Sequence, residues 1–142
     1  MFIGEYLHNL DNKGRIAIPV KFRRELAKAV VTKGLDGCLV VYPATEWKKL
    51  ADKLATLPIS QANTRAFSRL MLAGAMDVAV DRQGRIMLPD YLRKFAGLNK
   101  KVIVAGLYNR VEIWDSSKWE NYRQGVEQKS EGIAEKLGEL GV

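Results

Sequence analysis

The stretch DNKGRIAIPVKFR at residues 11–23 recurs as DRQGRIMLPDYLR at residues 81–93. Six of these thirteen positions are identical: Asp, Gly, Arg, Ile, Pro and Arg, in that order. The parallel continues with a two-residue slip, because Tyr42 and Trp47 align with Trp114 and Trp119. Such self-similarity indicates a duplicated structural unit. The sequence therefore predicts two copies of one unit of about 50 residues.

Each copy is predicted to begin with a strand, a tight turn and a second strand. The turn has the pattern D-x-x-G-R, in which glycine permits a positive φ and the aspartate side chain accepts backbone N–H bonds. The residues predicted to shape the two turns are Asp11, Gly14, Asp81 and Gly84. Proline ends the second strand in each copy, since it cannot donate to a strand ladder.

The remaining elements follow from apolar spacing. A short helix after each proline should bury Phe22 with Leu26, or Leu92 with Phe95. Buried strands are predicted at residues 38–42, 102–105 and 111–114, and a Trp-bearing helix closes each copy. The predicted organisation is a first unit at 5–47, a helical connector at 48–75, a second unit at 76–119 and a C-terminal helical tail at 120–142. In the connector, Phe67, Leu70 and Met71 should form one apolar face.

Composition excludes several classes of function. The chain has 142 residues, of which 47% are apolar, as in a globular protein. The chain has only one cysteine, Cys38, and one histidine, His8. These are too few for an intrachain disulfide or a His/Cys metal cluster. No signal-peptide core or membrane-length apolar run is present, so a cytoplasmic location is expected. We expect no metal, no cofactor, no small-molecule substrate and no enzymatic activity.

The charge is unevenly distributed along the chain. The formal net charge is +7, and residues 1–75 carry +6 of it. A basic surplus in one half favours an anionic partner, and nucleic acid is the first candidate. The alternative is a basic surface that only keeps the protein soluble.

Six cations are candidate DNA contacts. Turn formation does not require arginine at the fifth position, yet both copies have it, with a second cation nearby. A guanidinium can bind a phosphate or reach guanine O6 and N7. The alternative is that Arg15 and Arg85 only form ion pairs with Asp11 and Asp81. Two more arginines on the first helix are expected to contact phosphates, or else to be solvated and paired. The candidate set is Lys13, Arg15, Arg82, Arg85, Arg23 and Arg24.

Two D-x-x-G-R-I-x-[IL]-P boxes about seventy residues apart, with RAFSRLMLAGA between them, resemble the MraZ family of bacterial proteins, which carry tandem SpoVT-AbrB-type units. The resemblance runs from Met1 to about Trp119. It implies an α+β, β-rich fold in which two swapped-hairpin units form one pseudo-twofold barrel, with flanking short helices. It also implies a ring-shaped homo-oligomer and a nucleoid-associated transcriptional regulator that binds short repeats upstream of its own division and cell-wall operon.

Two hypotheses from different classes follow. The first is a sequence-specific regulator whose partner is double-stranded DNA carrying promoter direct repeats. The second is an oligomeric assembly or interaction protein whose D-x-x-G-R arginines only brace hairpins. An enzyme built on Asp11 and Asp81 ranks third, because both carboxylates are better explained as turn caps.

Overall fold

The computed structural model describes all 142 residues and has an α+β architecture. The eight strands are β1 (Phe2–Asn9), β2 (Arg15–Ala17), β3 (Lys28–Lys33), β4 (Leu39–Pro43), β5 (Met76–Ala79), β6 (Arg85–Met87), β7 (Lys101–Tyr108) and β8 (Val111–Asp115). The helices are α1 (Val20–Arg23), α2 (Ala44–Ala55), α3 (Ala62–Ser68), α4 (Asp90–Ala96), α5 (Ser116–Gln128) and α6 (Ser130–Leu137). No helix is both long and apolar enough to cross a membrane.

The strands of the two copies are interleaved. Six of them form one antiparallel sheet in the order β1-β7-β8-β4-β3-β5, while β2 and β6 pair as a separate two-stranded ribbon. The first strand of each copy pairs with the other copy, β1 with β7 and β5 with β3. This pairing has the twofold pattern expected of two equivalent units. The sheet ends at β1 and β5, so its hydrogen bonding does not close into a barrel.

One core serves both copies. A cluster of 17 buried residues includes Ile16 and Ile18 from the first box together with Ile86 and Leu88 from the second. A unit of about 50 residues has little interior of its own, and sharing a core raises the buried fraction. The two boxes therefore pack together on the same apolar interior.

The helices after the prolines differ from the sequence prediction. Helix α1 is a single turn, and Leu26 is buried beyond its end. In α4, Ala96 is buried while Phe95 remains 38% exposed beneath the Lys33 ammonium, which lies 5.5 Å from the ring centroid. The prediction that Phe95 is a core residue is thus wrong, because Leu92 and Ala96, four residues apart, form the buried face of α4 and Phe95 lies beside that face.

The predicted Trp-bearing helices are present as α2 and α5. Trp47 packs against Tyr42 of β4, and Trp119 against Trp114 of β8, with ring centroids 5.9 and 5.5 Å apart. The Asp115 side chain caps α5 by accepting a hydrogen bond from the Lys118 amide. Past α5 the tail continues as α6, which has no buried residue.

The connector contains an irregular helix. Helix α3 runs into a π-helical turn at Arg69–Ala73. There the buried Thr32 hydroxyl of β3 donates to the Met71 carbonyl at 2.7 Å. Met71 is buried within the chain, whereas Phe67 stays exposed. The chain itself therefore covers part of the predicted apolar face, and the rest faces solvent.

Candidate nucleic-acid interface

The first D-x-x-G-R turn is organised by the Asp11 carboxylate. Its Oδ1 accepts from the backbone amides of Lys13 and Arg15, both at 2.9 Å. Its Oδ2 accepts from Arg15 Nε at 2.7 Å. Gly14 has φ +83°, a conformation that only glycine adopts without strain. One carboxylate therefore fixes both the turn backbone and the base of the arginine side chain.

The second turn repeats this geometry. Asp81 Oδ1 accepts from the amides of Gln83 and Arg85 at 2.8 and 2.9 Å, and Oδ2 accepts from Arg85 Nε at 3.1 Å. Gly84 has φ +77°. Asp81 and Gly84 thus occupy the same positions in the second turn as Asp11 and Gly14 do in the first.

These hydrogen bonds also set the charge of the two aspartates. The Arg15 backbone amide is the largest influence that lowers the pKa of Asp11, and the Arg85 amide does the same for the pKa of Asp81. Both carboxylates are consequently ionised at neutral pH and have no proton to donate. Their chemistry is that of turn caps.

The ribbon brings the two arginines together. Ile16 faces Ile86 across it, and both side chains point into the core. Because side chains alternate along a strand, Arg15 and Arg85 share the opposite, outer face. Arg15 stands opposite Met87, so Arg85 is its diagonal neighbour across the pair. Diagonal neighbours of this kind lie about 7–8 Å apart at their Cα atoms.

The ion pairs with Asp11 and Asp81 leave the terminal nitrogens of both guanidinium groups available. Each arginine offers Nε to its aspartate, while the terminal nitrogens make no hydrogen bond within the chain. The side chains remain 28% and 27% exposed. Hairpin bracing and contact with an anion therefore involve different atoms of the same side chain. Lys13 and Arg82, the neighbouring cations, are exposed at the two turns.

The helix arginines differ from one another. Arg24 is exposed, whereas Arg23 is half-buried and its Nε donates to the Ile18 carbonyl at 2.8 Å. The adjacent Glu25 pairs with the Met1 amine at 2.7 Å and not with either arginine. In the second copy, Lys94 is exposed and pairs with Asp90 at 2.9 Å, and Arg93 repeats the position of Arg23.

Ala17 and Met87, which were not predicted from the sequence as part of a site, complete the outer face of the ribbon. Met87 is 48% exposed. The signal was present in the sequence, since alternation within RIA and RIM places the first and third residues on one face. What alternation cannot show is that β2 pairs with β6.

The remaining reactive groups lie elsewhere. Cys38 is buried, and burial raises the pKa of its thiol to about 12, so it is not a nucleophile. Half-burial, followed by the charge of Arg23, lowers the pKa of His8. No three His, Cys, Asp or Glu side chains are grouped closely enough to hold a metal ion.

Comparison with known proteins bears on this duplicated site. A family model described as "MraZ protein, putative antitoxin-like" matches the chain twice, over residues 1–70 and again over residues 71–138. The chain belongs to the MraZ family. The boundary between the two MraZ matches falls within the π-helical turn of the connector.

Several MraZ relatives are similar over their full length. A protein of Natranaerobius thermophilus is 50% identical over 138 residues, which is 96% of each chain. Proteins of Halothermothrix orenii and Clostridium acetobutylicum are each 50% identical over 143 residues, covering all of both chains. All three are called "Transcriptional regulator MraZ".

Proposed function

We propose that this chain is a DNA-binding transcriptional regulator without enzymatic activity. The observation that carries the proposal is the outer face of the β2–β6 ribbon, where Arg15 and Arg85 are diagonal neighbours. The terminal nitrogens of both side chains make no hydrogen bond within the chain. The major groove of B-DNA accommodates a two-stranded ribbon, and an arginine fork matches guanine O6 and N7. The names of the full-length relatives support the same function.

The contact set has a base-reading part and a phosphate part. Arg15 and Arg85 stand on the ribbon and are proposed to reach base edges. Lys13 and Arg82, exposed on the adjoining turns, and the exposed Arg24 are proposed to contact phosphates. Phosphate contacts position the protein and make binding depend on salt, whereas base contacts specify the sequence.

The target and the assembly follow from the family resemblance. We propose that units 5–47 and 76–119 act together as an exchanged-hairpin pair, and that the protein forms a ring-shaped homo-oligomer. Its target would be a series of short direct repeats upstream of its own division and cell-wall operon, and its location the cytoplasmic nucleoid. Two free sheet edges, β1 and β5, support a head-to-tail contact between copies, since such a contact can close into a ring.

An assembly protein is the second candidate, because the Asp11–Arg15 and Asp81–Arg85 ion pairs brace the turns. The test is Arg15→Ala, measured by fluorescence anisotropy on the DNA upstream of the gene at several salt concentrations. Loss of a bidentate base contact should cost about 1–3 kcal/mol per site, and more when several copies engage one duplex.

The matched control is Lys53→Ala, which removes one positive charge from an exposed position on α2 that has no ion pair. We expect this variant to bind DNA as the unmodified protein does. If Arg15→Ala instead keeps its DNA affinity while losing thermal stability and oligomer size, the arginines only brace the turns and the assembly reading is right.

A further inference from the structure

Arg23 and Arg93 occupy equivalent positions and share one type of hydrogen bond, and Arg93 also pairs with Asp90 at 3.7 Å. Arg23 Nε donates to the Ile18 carbonyl at 2.8 Å, and Arg93 Nε donates to the Leu88 carbonyl at 3.0 Å. Each carbonyl belongs to the residue just before the proline of the same copy. Neither guanidinium therefore projects freely from its helix, although a phosphate contact was expected for Arg23 from the sequence.

Each guanidinium lies against the turn glycine of the opposite copy. A Cβ atom added to Gly84 would collide with the Cζ and Nε atoms of Arg23. A Cβ atom added to Gly14 would lie 2.8 Å from the same two atoms of Arg93. Glycine is needed at these positions for close approach as well as for its positive φ.

The backbone completes the same link in both directions. The Ile18 amide donates to the Gly84 carbonyl at 2.8 Å, and the Leu88 amide donates to the Gly14 carbonyl, also at 2.8 Å. Ile18 thus binds Arg23 through its carbonyl and the turn of the second copy through its amide. Leu88 binds Arg93 and the turn of the first copy in the same way. Two independent copies of this arrangement exist in one chain.

We propose that Arg23 and Arg93 are positioning residues, each of which fixes the DNA-contact turn of the other copy. The two turns then form one rigid unit in which Arg15 and Arg85 keep their spacing before DNA arrives. Such preorganisation improves affinity because less ordering is left to occur on binding. This inference rests on the proposed DNA-binding function, but the cross-copy link itself can be measured without DNA.

The first experiment is a set of double-mutant cycles on thermal unfolding at one fixed protein concentration. The contacting pair is Arg23→Ala with Gly84→Ala, and the non-contacting pair is Arg23→Ala with Gly14→Ala. Once the arginine is shortened, an added methyl at Gly84 has less to displace. We therefore expect the double variant of the contacting pair to lose less Tm than the sum of its singles, by about 3 °C or more.

The non-contacting pair should be additive within about 2 °C. Additivity in both pairs would overturn the proposed link. Arg93→Ala with Gly14→Ala repeats the test in the other direction. Where a double variant does not fold, the backbone amide resonances give the same answer: Arg23→Gln should shift Gly84 far more than Gly14, and equal or absent shifts would overturn the link.

The second experiment separates positioning from phosphate contact by DNA binding. A phosphate contact contributes about 0.9 to the slope of log K against log salt, and lysine supplies it nearly as well as arginine. We expect Arg23→Ala and Arg23→Lys to weaken binding alike, by about tenfold, with the salt slope unchanged, because lysine has no planar Nε–H fork.

Arg24→Ala is the contrasting variant, since Arg24 is exposed, and it should lower the salt slope. Full rescue by Arg23→Lys, together with a lowered slope in Arg23→Ala, would make Arg23 a phosphate contact and overturn the positioning role. If the unmodified protein binds no DNA at all, the proposed function fails, while the unfolding cycles still decide whether the two turns are linked.

Discussion

Asp11 and Asp81 each divide their two carboxylate oxygens between backbone and side chain. One oxygen shapes the turn through two amides, and the other orients the arginine through Nε. This arrangement could be predicted in part from sequence, because D-x-x-G-R contains the turn residues. The sequence could not predict which nitrogens of Arg15 stay free, because that depends on the side-chain rotamer.

The lowered pKa values of Asp11 and Asp81 make a prediction for acid stability. Their folded pKa values lie below the ordinary value of 3.8, so the folded state binds fewer protons than the unfolded state as the pH falls through that range. Their contribution to stability is complete above about pH 4 and is lost as the pH falls through the folded pKa values. Asp11→Asn with Asp81→Asn should therefore flatten the fall of Tm below pH 4, as scanning calorimetry can measure.

The control pair is Glu131→Gln with Glu139→Gln, which removes two charges from the exposed tail, where neither carboxylate is hydrogen-bonded. This pair should leave the Tm profile below pH 4 unchanged. Equal flattening by both pairs would mean that total charge, and not the turn hydrogen bonds, sets the acid stability.

Among the secondary-structure elements, those marked by glycine and proline were the most predictable. β2 and β6 each lie between a turn glycine and a proline, the two residues from which a second strand was predicted in each copy. Strand β3 was not predicted; it pairs with β4 of its own copy on one side and with β5 of the other copy on the other, and sequence spacing does not reveal the second contact. The π-helical turn was likewise unpredictable, since it is held from outside by the hydroxyl of Thr32.

Thr32 therefore gives a prediction about an element. Thr32→Val keeps the shape of the side chain but leaves the Met71 carbonyl of the π-helical turn without this hydrogen bond. We expect a loss of about 1–3 kcal/mol of unfolding free energy, measured by urea titration, because a buried carbonyl loses its partner.

Thr56→Val is the matched control, since the Thr56 hydroxyl donates to the Lys53 carbonyl at an exposed position. It should change stability by less than about 0.5 kcal/mol. Equal effects at both positions would show that the Thr32 hydroxyl does not anchor the connector to β3.

The whole molecule leaves apolar surface uncovered. Ile3 and Leu7 on β1 are 55% and 60% exposed, and Met76 is exposed on β5 at the other end of the sheet. Exposed apolar groups on an unpaired edge strand favour association between chains. This surface lies at the sheet edges rather than at Met71, which the chain itself covers.

We accordingly predict a homo-oligomer larger than a dimer. Light scattering coupled to size exclusion should return a multiple of the 16.0 kDa chain mass. Leu7→Lys should reduce that mass by placing a charge on the β1 surface, whereas Lys53→Ala should not. A monomer or a dimer at micromolar concentration would contradict the prediction.

A DNA-cleaving iron chelate attached at Met87→Cys measures whether the outer face of the β2–β6 ribbon lies on DNA, as we propose. The native thiol of Cys38 is buried with a raised pKa, so the label goes to the new cysteine alone. We predict cuts within the upstream repeats that recur about every 10–10.5 bp, because the same groove face returns at that interval. The same label at Lys136→Cys on α6 should cut little. Cleavage from Lys136→Cys alone, or equal cleavage from both positions, would show that the ribbon does not lie on DNA.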